Sequence, residues 1–246
     1  MHSVQNHHAT QLIVALDFSR ADRALEFVEE LSDLPVIFKV GLQLFLAGGP
    51  ELVRELVHRK KRVFLDLKFH DIPRTVSQAV RQAALMHVEM MTIHLLGGSQ
   101  MVKAIAEELA DIPLLRPKIL GVSVLTSFDD VRWAEVTKSM TGHAVDVAES
   151  VTGLVANTIG HGLDGVVCSA LELSSIKSRY PNLFTVVPGI RMSSDLDDQA
   201  RVTTPAIAHE MGADAIVMGR PITRSDRPKE VVQAVLRDLS LTRVSA

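Results

Sequence analysis

Short apolar runs alternate with amphipathic stretches of helical period along the whole chain. The apolar runs are Leu12–Asp17, Val36–Val40, Val63–Lys68, Val88–His94, Lys118–Leu125, Gly165–Cys168, Phe184–Val187 and Ala215–Met218. Between them the helical pattern recurs over Ala21–Leu31, Pro50–Lys60, Pro73–His87, Ser99–Ala110, His143–Gly160, Ala170–Arg179, Pro205–Met211 and Pro228–Leu239. Near-continuous apolar strands are what a parallel sheet covered on both faces requires. Strict strand–helix alternation predicts an α/β fold, and eight units over 246 residues favour closure into a (β/α)8 (TIM) barrel over an open sheet. The expectation is one domain spanning residues 1–246, with residues 1–10 as a flexible N-terminal extension. Two long stretches carry no predicted element: Ser127–Thr141 after the fifth strand and Gly189–Thr203 after the seventh. Loops of that length in a compact domain are often lids or insertions. The second, which contains Arg191, Ser193, Asp195, Asp197 and Asp198, reads equally as a solvated loop or as a flap over a ligand.

Composition narrows the function classes. Apolar residues make up 47% and charged residues 22%, so the chain has enough apolar material for a core and disorder is not expected. A formal net charge of −3 argues against a general nucleic-acid binder. No apolar run approaches membrane-spanning length, and the first residues lack a basic segment followed by an apolar one. The single cysteine, Cys168, sits in the apolar run Gly165-Val166-Val167-Cys168, which marks it as a buried strand residue rather than a nucleophile. These features predict a soluble, cytoplasmic protein with neither membrane nor nucleic acid as partner.

In such barrels the functional face lies at the C-terminal ends of the strands. Asp17, Lys39, Asp66, Lys68 and His94 all fall at or near those ends, and Thr126 follows the fifth. The third strand is the most informative. Period-two alternation in Val63-Phe64-Leu65-Asp66-Leu67-Lys68 puts Asp66 and Lys68 on one face, about 7 Å apart along the backbone. Asp71 follows in the turn, before Pro73 opens a helix. With Lys39 from the adjacent strand, four charges of alternating sign can converge on a small volume. The plainer alternative is an ion-pair network that only braces the barrel. Four charges on two adjacent strand ends at the functional face favour chemistry.

A second signal lies near the C-terminus. Gly189 and Arg191 follow strand seven, and Gly219 and Arg220 follow strand eight. Phosphate sites in this fold commonly form from those two loops. Glycine lets backbone amides approach an anion, and arginine offers a fork to its oxygens. The histidines outside the strand ends show no ligand spacing to a second His, Cys or carboxylate, so no metal site is expected. For His94 a hydrogen-bonded structural role is at least as good a reading as a functional one.

The segments Phe38-Lys39-Val40-Gly41, Leu65-Asp66-Leu67-Lys68-Phe69-His70-Asp71-Ile72-Pro73, Val187-Pro188-Gly189-Ile190-Arg191 and Met218-Gly219-Arg220-Pro221 occur in an order and spacing that resemble the bacterial type of orotidine 5′-monophosphate decarboxylase. The resemblance covers nearly the whole chain. It implies a cofactor-free, homodimeric barrel that converts orotidine 5′-phosphate to uridine 5′-phosphate and carbon dioxide in pyrimidine synthesis. It further implies Lys68 as proton donor, Asp66 against the substrate carboxylate, and Lys39 at the ribose and in the charge network. By the same resemblance Asp71, with Thr75, would reach into the partner subunit's site. Asp17 would bind ribose hydroxyls, Thr126 the pyrimidine edge, and Gln199 would bridge base and phosphate, while Arg191, Gly219 and Arg220 would hold the phosphate. Arg74 departs from the asparagine the pattern carries before Thr75. Magnesium-dependent hexulose-phosphate synthases resemble the same Asp-x-Lys-x-x-Asp core but continue Asp-Ala-Gly, where this chain has Asp71-Ile72-Pro73. More distant rivals are a phosphosugar isomerase or epimerase, and a non-catalytic phosphate-ligand binder.

Overall fold

Eight apolar runs become eight strands because each can bury both faces, one against the barrel axis and one against a helix. In a computed structural model, which describes residues 10–192 and 203–240, the strands are β1 (Gln11–Ala15), β2 (Ile37–Gly41), β3 (Arg62–Phe69), β4 (Met90–His94), β5 (Lys118–Val122), β6 (Gly165–Val167), β7 (Phe184–Val187) and β8 (Ala215–Met218). All neighbours pair in parallel, and β8 closes on β1 through Gln11–Ala215 and Val14–Met218. The inner layer is built from single residues of successive strands, among them Ile13, Ile37, Phe64, Met90, Leu120 and Val186, all buried. Residues of opposite parity, such as Val14, Val40, Leu65 and Ile216, face the helices and form the larger core. Inward positions therefore change from apolar at mid-strand to charged at the mouth, where Asp17, Lys39, Asp66 and Lys68 surround one hollow.

The helices that wrap the barrel are α1 (Ala21–Glu30), α2 (Leu42–His58), α3 (Pro73–Ala84), α4 (Gly98–Leu109), α5 (Asp130–Thr141), α6 (Val147–Thr158), α7 (Ala170–Arg179), α8 (Pro205–Glu210), α9 (Arg220–Thr223) and α10 (Pro228–Ser240). Three depart from the sequence pattern, the short α9 by having no predicted counterpart. The stretch Ser127–Thr141, expected to be irregular, contains α5. Asp129 caps it by accepting the Arg132 amide at 2.8 Å, and left-handed Gly142 (φ 81°) ends it. Only Trp133 and Thr137 of α5 are buried, so the apolar stripe that announces a helix is nearly absent. The helix expected from Pro50 is preceded by further helical residues from Leu42, joined across a kink at Gly49 (φ 62°, ψ −168°). Leu42 and Leu46 there are 57% and 83% exposed, which hides the period.

Residues 1–9 of the expected N-terminal extension lie outside the described residues. Thr10 does not behave as an extension: it is buried, and its hydroxyl donates to the Ala213 carbonyl at 2.6 Å. Among the described residues no helix is long and apolar enough to cross a membrane.

Candidate active site

At the mouth of the barrel β2 and β3 pair with Gly41 opposite Asp66, which brings Lys39 beside the carboxylate. Lys39 Nζ lies 3.4 Å from Asp66 Oδ2, and Lys68 Nζ lies 2.9 Å from Asp66 Oδ1. The Asp66 side chain is only 13% exposed. Burial alone would push its carboxyl group up, but the charges of Lys39 and Lys68, with hydrogen bonds from Lys68 and Thr92, outweigh burial and hold it below the usual range. A depressed acid stabilises the fold fully above its unfolded value near pH 4 and loses that contribution as pH falls further.

Lys68 does not continue a regular strand. Its φ is 51°, in the left-handed region, which costs an ordinary side chain about 1–2 kcal/mol. Leu65 pairs with Met91 and Phe69 with Ile93, so β3 carries two more residues than β4 over this stretch. The excursion keeps Lys68 on the inner face beside Asp66. Thr92 of β4, fully buried, sits at the excursion; its hydroxyl accepts the Lys68 amide at 2.9 Å and donates to Asp66 Oδ1 at 2.9 Å. Sequence reasoning missed Thr92. Its signal was the two-residue spacing from His94, which places both on the inward face of β4.

His94 ends β4 and stacks on His70, with ring centroids 5.4 Å apart. Burial, then the charges of His70 and Lys68, hold its imidazole below the ordinary histidine range. It is therefore neutral near pH 7, consistent with its Nδ1 accepting the Leu96 amide at 3.3 Å. Among the described residues no cluster of three or more His, Cys, Asp and Glu is arranged to hold a metal ion.

Two hollows share Lys39, Asp66 and Lys68. One is polar and also touches Asp17 and Gln43. The other is walled by Phe64, Val122, Val167, Val186, Pro188 and Val217, with Thr126 at its rim. The two hollows differ in lining, one polar and one largely apolar, and the Lys68 side chain borders both. Gly219 lies against Asp17, where an added Cβ would come 2.8 Å from Asp17 Oδ2. Arg220, exposed, follows it as the first residue of α9. Gly189 adopts φ 79°, a turn that favours glycine, and leads to Arg191, whose amide donates to the Thr203 carbonyl at 3.0 Å.

Of the other expected residues, Asp71 and Thr75 are exposed at the start of α3. The Asp71 carboxylate accepts its neighbour's amide, Ile72 N, at 2.6 Å and has no cation within 4.0 Å among the described residues. The structure thus joins three of the four charges, Lys39, Asp66 and Lys68, and leaves Asp71 outside. Gln199 lies outside the described residues, as do Ser193, Asp195, Asp197 and Asp198.

Comparison with known proteins gives this geometry a family. The family model described as "Orotidine 5'-phosphate decarboxylase / HUMPS family" matches residues 10–235. A relative named orotidine 5'-phosphate decarboxylase from Legionella pneumophila (strain Corby) is 47% identical over 231 residues, covering 93% of this chain and 99% of its own. One of the same name from Aliivibrio salmonicida is 44% identical over 236 residues, covering 94% and 96%. The crystal structure of orotidine 5'-phosphate decarboxylase from Lactobacillus acidophilus superposes with a TM-score of 0.82 at 34% identity, over 94% of this chain and 99% of that one. Identity at this level over nearly the full length of both chains leaves one conclusion: the chain belongs to the orotidine 5'-phosphate decarboxylase / HUMPS family.

Proposed function

We propose that this chain decarboxylates orotidine 5′-phosphate to uridine 5′-phosphate and carbon dioxide, the step that completes uridylate in pyrimidine synthesis, without a cofactor. The observation that carries the reading is the Lys68 amine, 2.9 Å from Asp66 and bordering an apolar hollow. Loss of carbon dioxide from C6 of the pyrimidine leaves a carbanion with no electron sink in the ring. An ammonium aimed at that carbon stabilises the charge as it forms and then delivers the proton. The carboxylate of Asp66 holds the Lys68 amine in place at 2.9 Å. It also faces the substrate carboxylate, and their repulsion is relieved as carbon dioxide leaves.

Magnitudes decide what else is needed. Enzymes lower barriers by about 8–23 kcal/mol, and a reaction without an electron sink needs the upper part of that range. One preorganised donor contributes about 3–4 kcal/mol. Lys68 alone falls well short, so binding of the remote parts of the nucleotide must organise the site. In this reading Asp17 and Lys39 hold the ribose and Thr126 the pyrimidine edge. Arg191, Gly219 and Arg220 hold the phosphate, and Gln199 bridges base and phosphate.

A homodimer belongs to the same proposal. Asp71 and Thr75 stand exposed beside Ile72, itself 68% exposed, at the edge of the mouth. A carboxylate that meets no cation among the described residues of its own chain suits a role in a partner's site. Mixing inactive Lys68→Ala and Asp71→Ala proteins tests this. Shared sites predict recovered turnover, because one site of each mixed dimer then carries neither change. No recovery after subunit exchange contradicts sharing. A cytoplasmic setting is also proposed, on the strength of a single, buried cysteine.

The main test adds orotidine 5′-phosphate to purified protein in excess EDTA and follows its ultraviolet spectrum. Full conversion at an unchanged rate is expected. Conversion restored only by magnesium would overturn the metal-free reading. Tight binding of uridine 5′-phosphate without turnover would point to a binding protein.

A further inference from the structure

We propose that Thr92 is a positioning residue whose hydroxyl sets where the Lys68 amine points. The inference rests on the reading of Lys68 as proton donor and adds how its aim is fixed. Three hydrogen bonds of 2.9 Å close a loop: the Lys68 amide donates to Thr92 Oγ1, Thr92 Oγ1 donates to Asp66 Oδ1, and the Lys68 amine donates to the same oxygen. One buried hydroxyl therefore links the backbone of the lysine to the carboxylate that receives its side chain. A hydroxyl has one proton to give. An ionised Asp66 can only accept, so that proton goes to the carboxylate and the lone pairs face the Lys68 amide. The direction of the relay follows from chemistry alone.

Lys68 holds a left-handed backbone where β3 runs two residues ahead of β4. A residue so strained persists only when its surroundings over-determine it. Thr92 supplies that constraint from the neighbouring strand, at 0% exposure, through its two hydrogen bonds. Both hydrogen bonds of the hydroxyl go to the Lys68–Asp66 pair.

The test compares Thr92→Val, which keeps the shape and removes the relay, with Thr92→Ser, which keeps the relay and loses a methyl group. A mispositioned catalytic group costs on the order of 10²-fold, so kcat of Thr92→Val should fall about 10–100-fold with KM nearly unchanged. Its acid limb should move to higher pH, because Asp66 loses a hydrogen bond that favours its ionised form. Thr92→Ser should stay near wild type. A crystal structure of Thr92→Val should show the Lys68 amine displaced from Asp66. Wild-type kcat in Thr92→Val, or equal losses in both variants, would overturn the proposal, the latter being the mark of lost packing. If Thr92→Val does not fold, Thr92→Cys, a weak donor at the same place, substitutes: reduced kcat at unchanged KM supports the relay, and wild-type kcat overturns it. Failure of wild-type protein to convert orotidine 5′-phosphate would overturn the functional reading alone. The structural comparison then decides on Thr92, with an unmoved amine in Thr92→Val counting against it.

Discussion

Where the strands begin, Asp214 accepts the Lys177 ammonium at 2.6 Å, the Thr185 amide at 2.7 Å and the Thr185 hydroxyl at 2.9 Å. Asp164 there accepts the Ile119 amide at 2.7 Å and pairs with Arg116 at 2.8 Å. At the opposite end, Asp66 accepts no backbone amide among the described residues. Its partners are two lysine amines and the Thr92 hydroxyl. Both ends place acids beside cations, yet these acids at the strand starts tie neighbouring strands together through their backbones, while at the mouth Asp66 and its two lysines border a hollow. The mouth also holds Lys68, whose left-handed backbone at φ 51° falls inside a strand. A charge that bonds the backbone braces the fold. A charge that bonds only side chains around an opening is free to meet a ligand.

Substitutions at the two ends should separate accordingly. The largest effect is expected for Lys68→Ala: kcat should fall by ~10⁴-fold or more, since both a proton donor and its charge are lost, while the melting temperature stays near wild type. A collapse in stability comparable to the loss of rate would erase the distinction between the ends. Arg220→Ala comes next. Losing a charge-assisted hydrogen bond worth about 1.5–3 kcal/mol should lower kcat/KM roughly 10–100-fold for the nucleotide. Inorganic phosphate should restore much of the rate on the nucleoside orotidine in wild type and less in the variant. Asp214→Ala should do the reverse of Lys68→Ala. Loss of its bonds should cost about 2 kcal/mol, a fall in Tm of roughly 4–8 °C, with kcat of the folded protein within about twofold. A large fall in kcat at full stability would show that the strand-start network reaches the chemistry.

The same contrast explains what could be read from residues alone. Strand order and closure were legible because buried parallel strands leave continuous apolar runs that few other folds need. Lys39, Asp66 and Lys68 were legible because ionisable groups interrupt those runs on one face. That reading survived the irregular backbone at Lys68, since the excursion adds two residues and so preserves parity. Spacing also suggested that Asp71 joins the cluster. It lies beyond the strand, where its carboxylate turns back on the Ile72 amide, and no periodicity fixes a side chain there. Thr92 was hidden for a different reason: a threonine in an apolar strand looks like any β-branched filler until its hydroxyl is seen between two polar groups. Helix α5 was hidden because two buried residues make no stripe.

The central claim is that an ammonium held by Asp66 is aimed at the ring carbon that loses its carboxyl group. A crystal structure of the protein with uridine 5′-phosphate bound tests it most directly. The account predicts Lys68 Nζ within about 3.5 Å of pyrimidine C6, with the phosphate at Arg220. A lysine turned to solvent, or a nucleotide bound with C6 far from that amine, would contradict it.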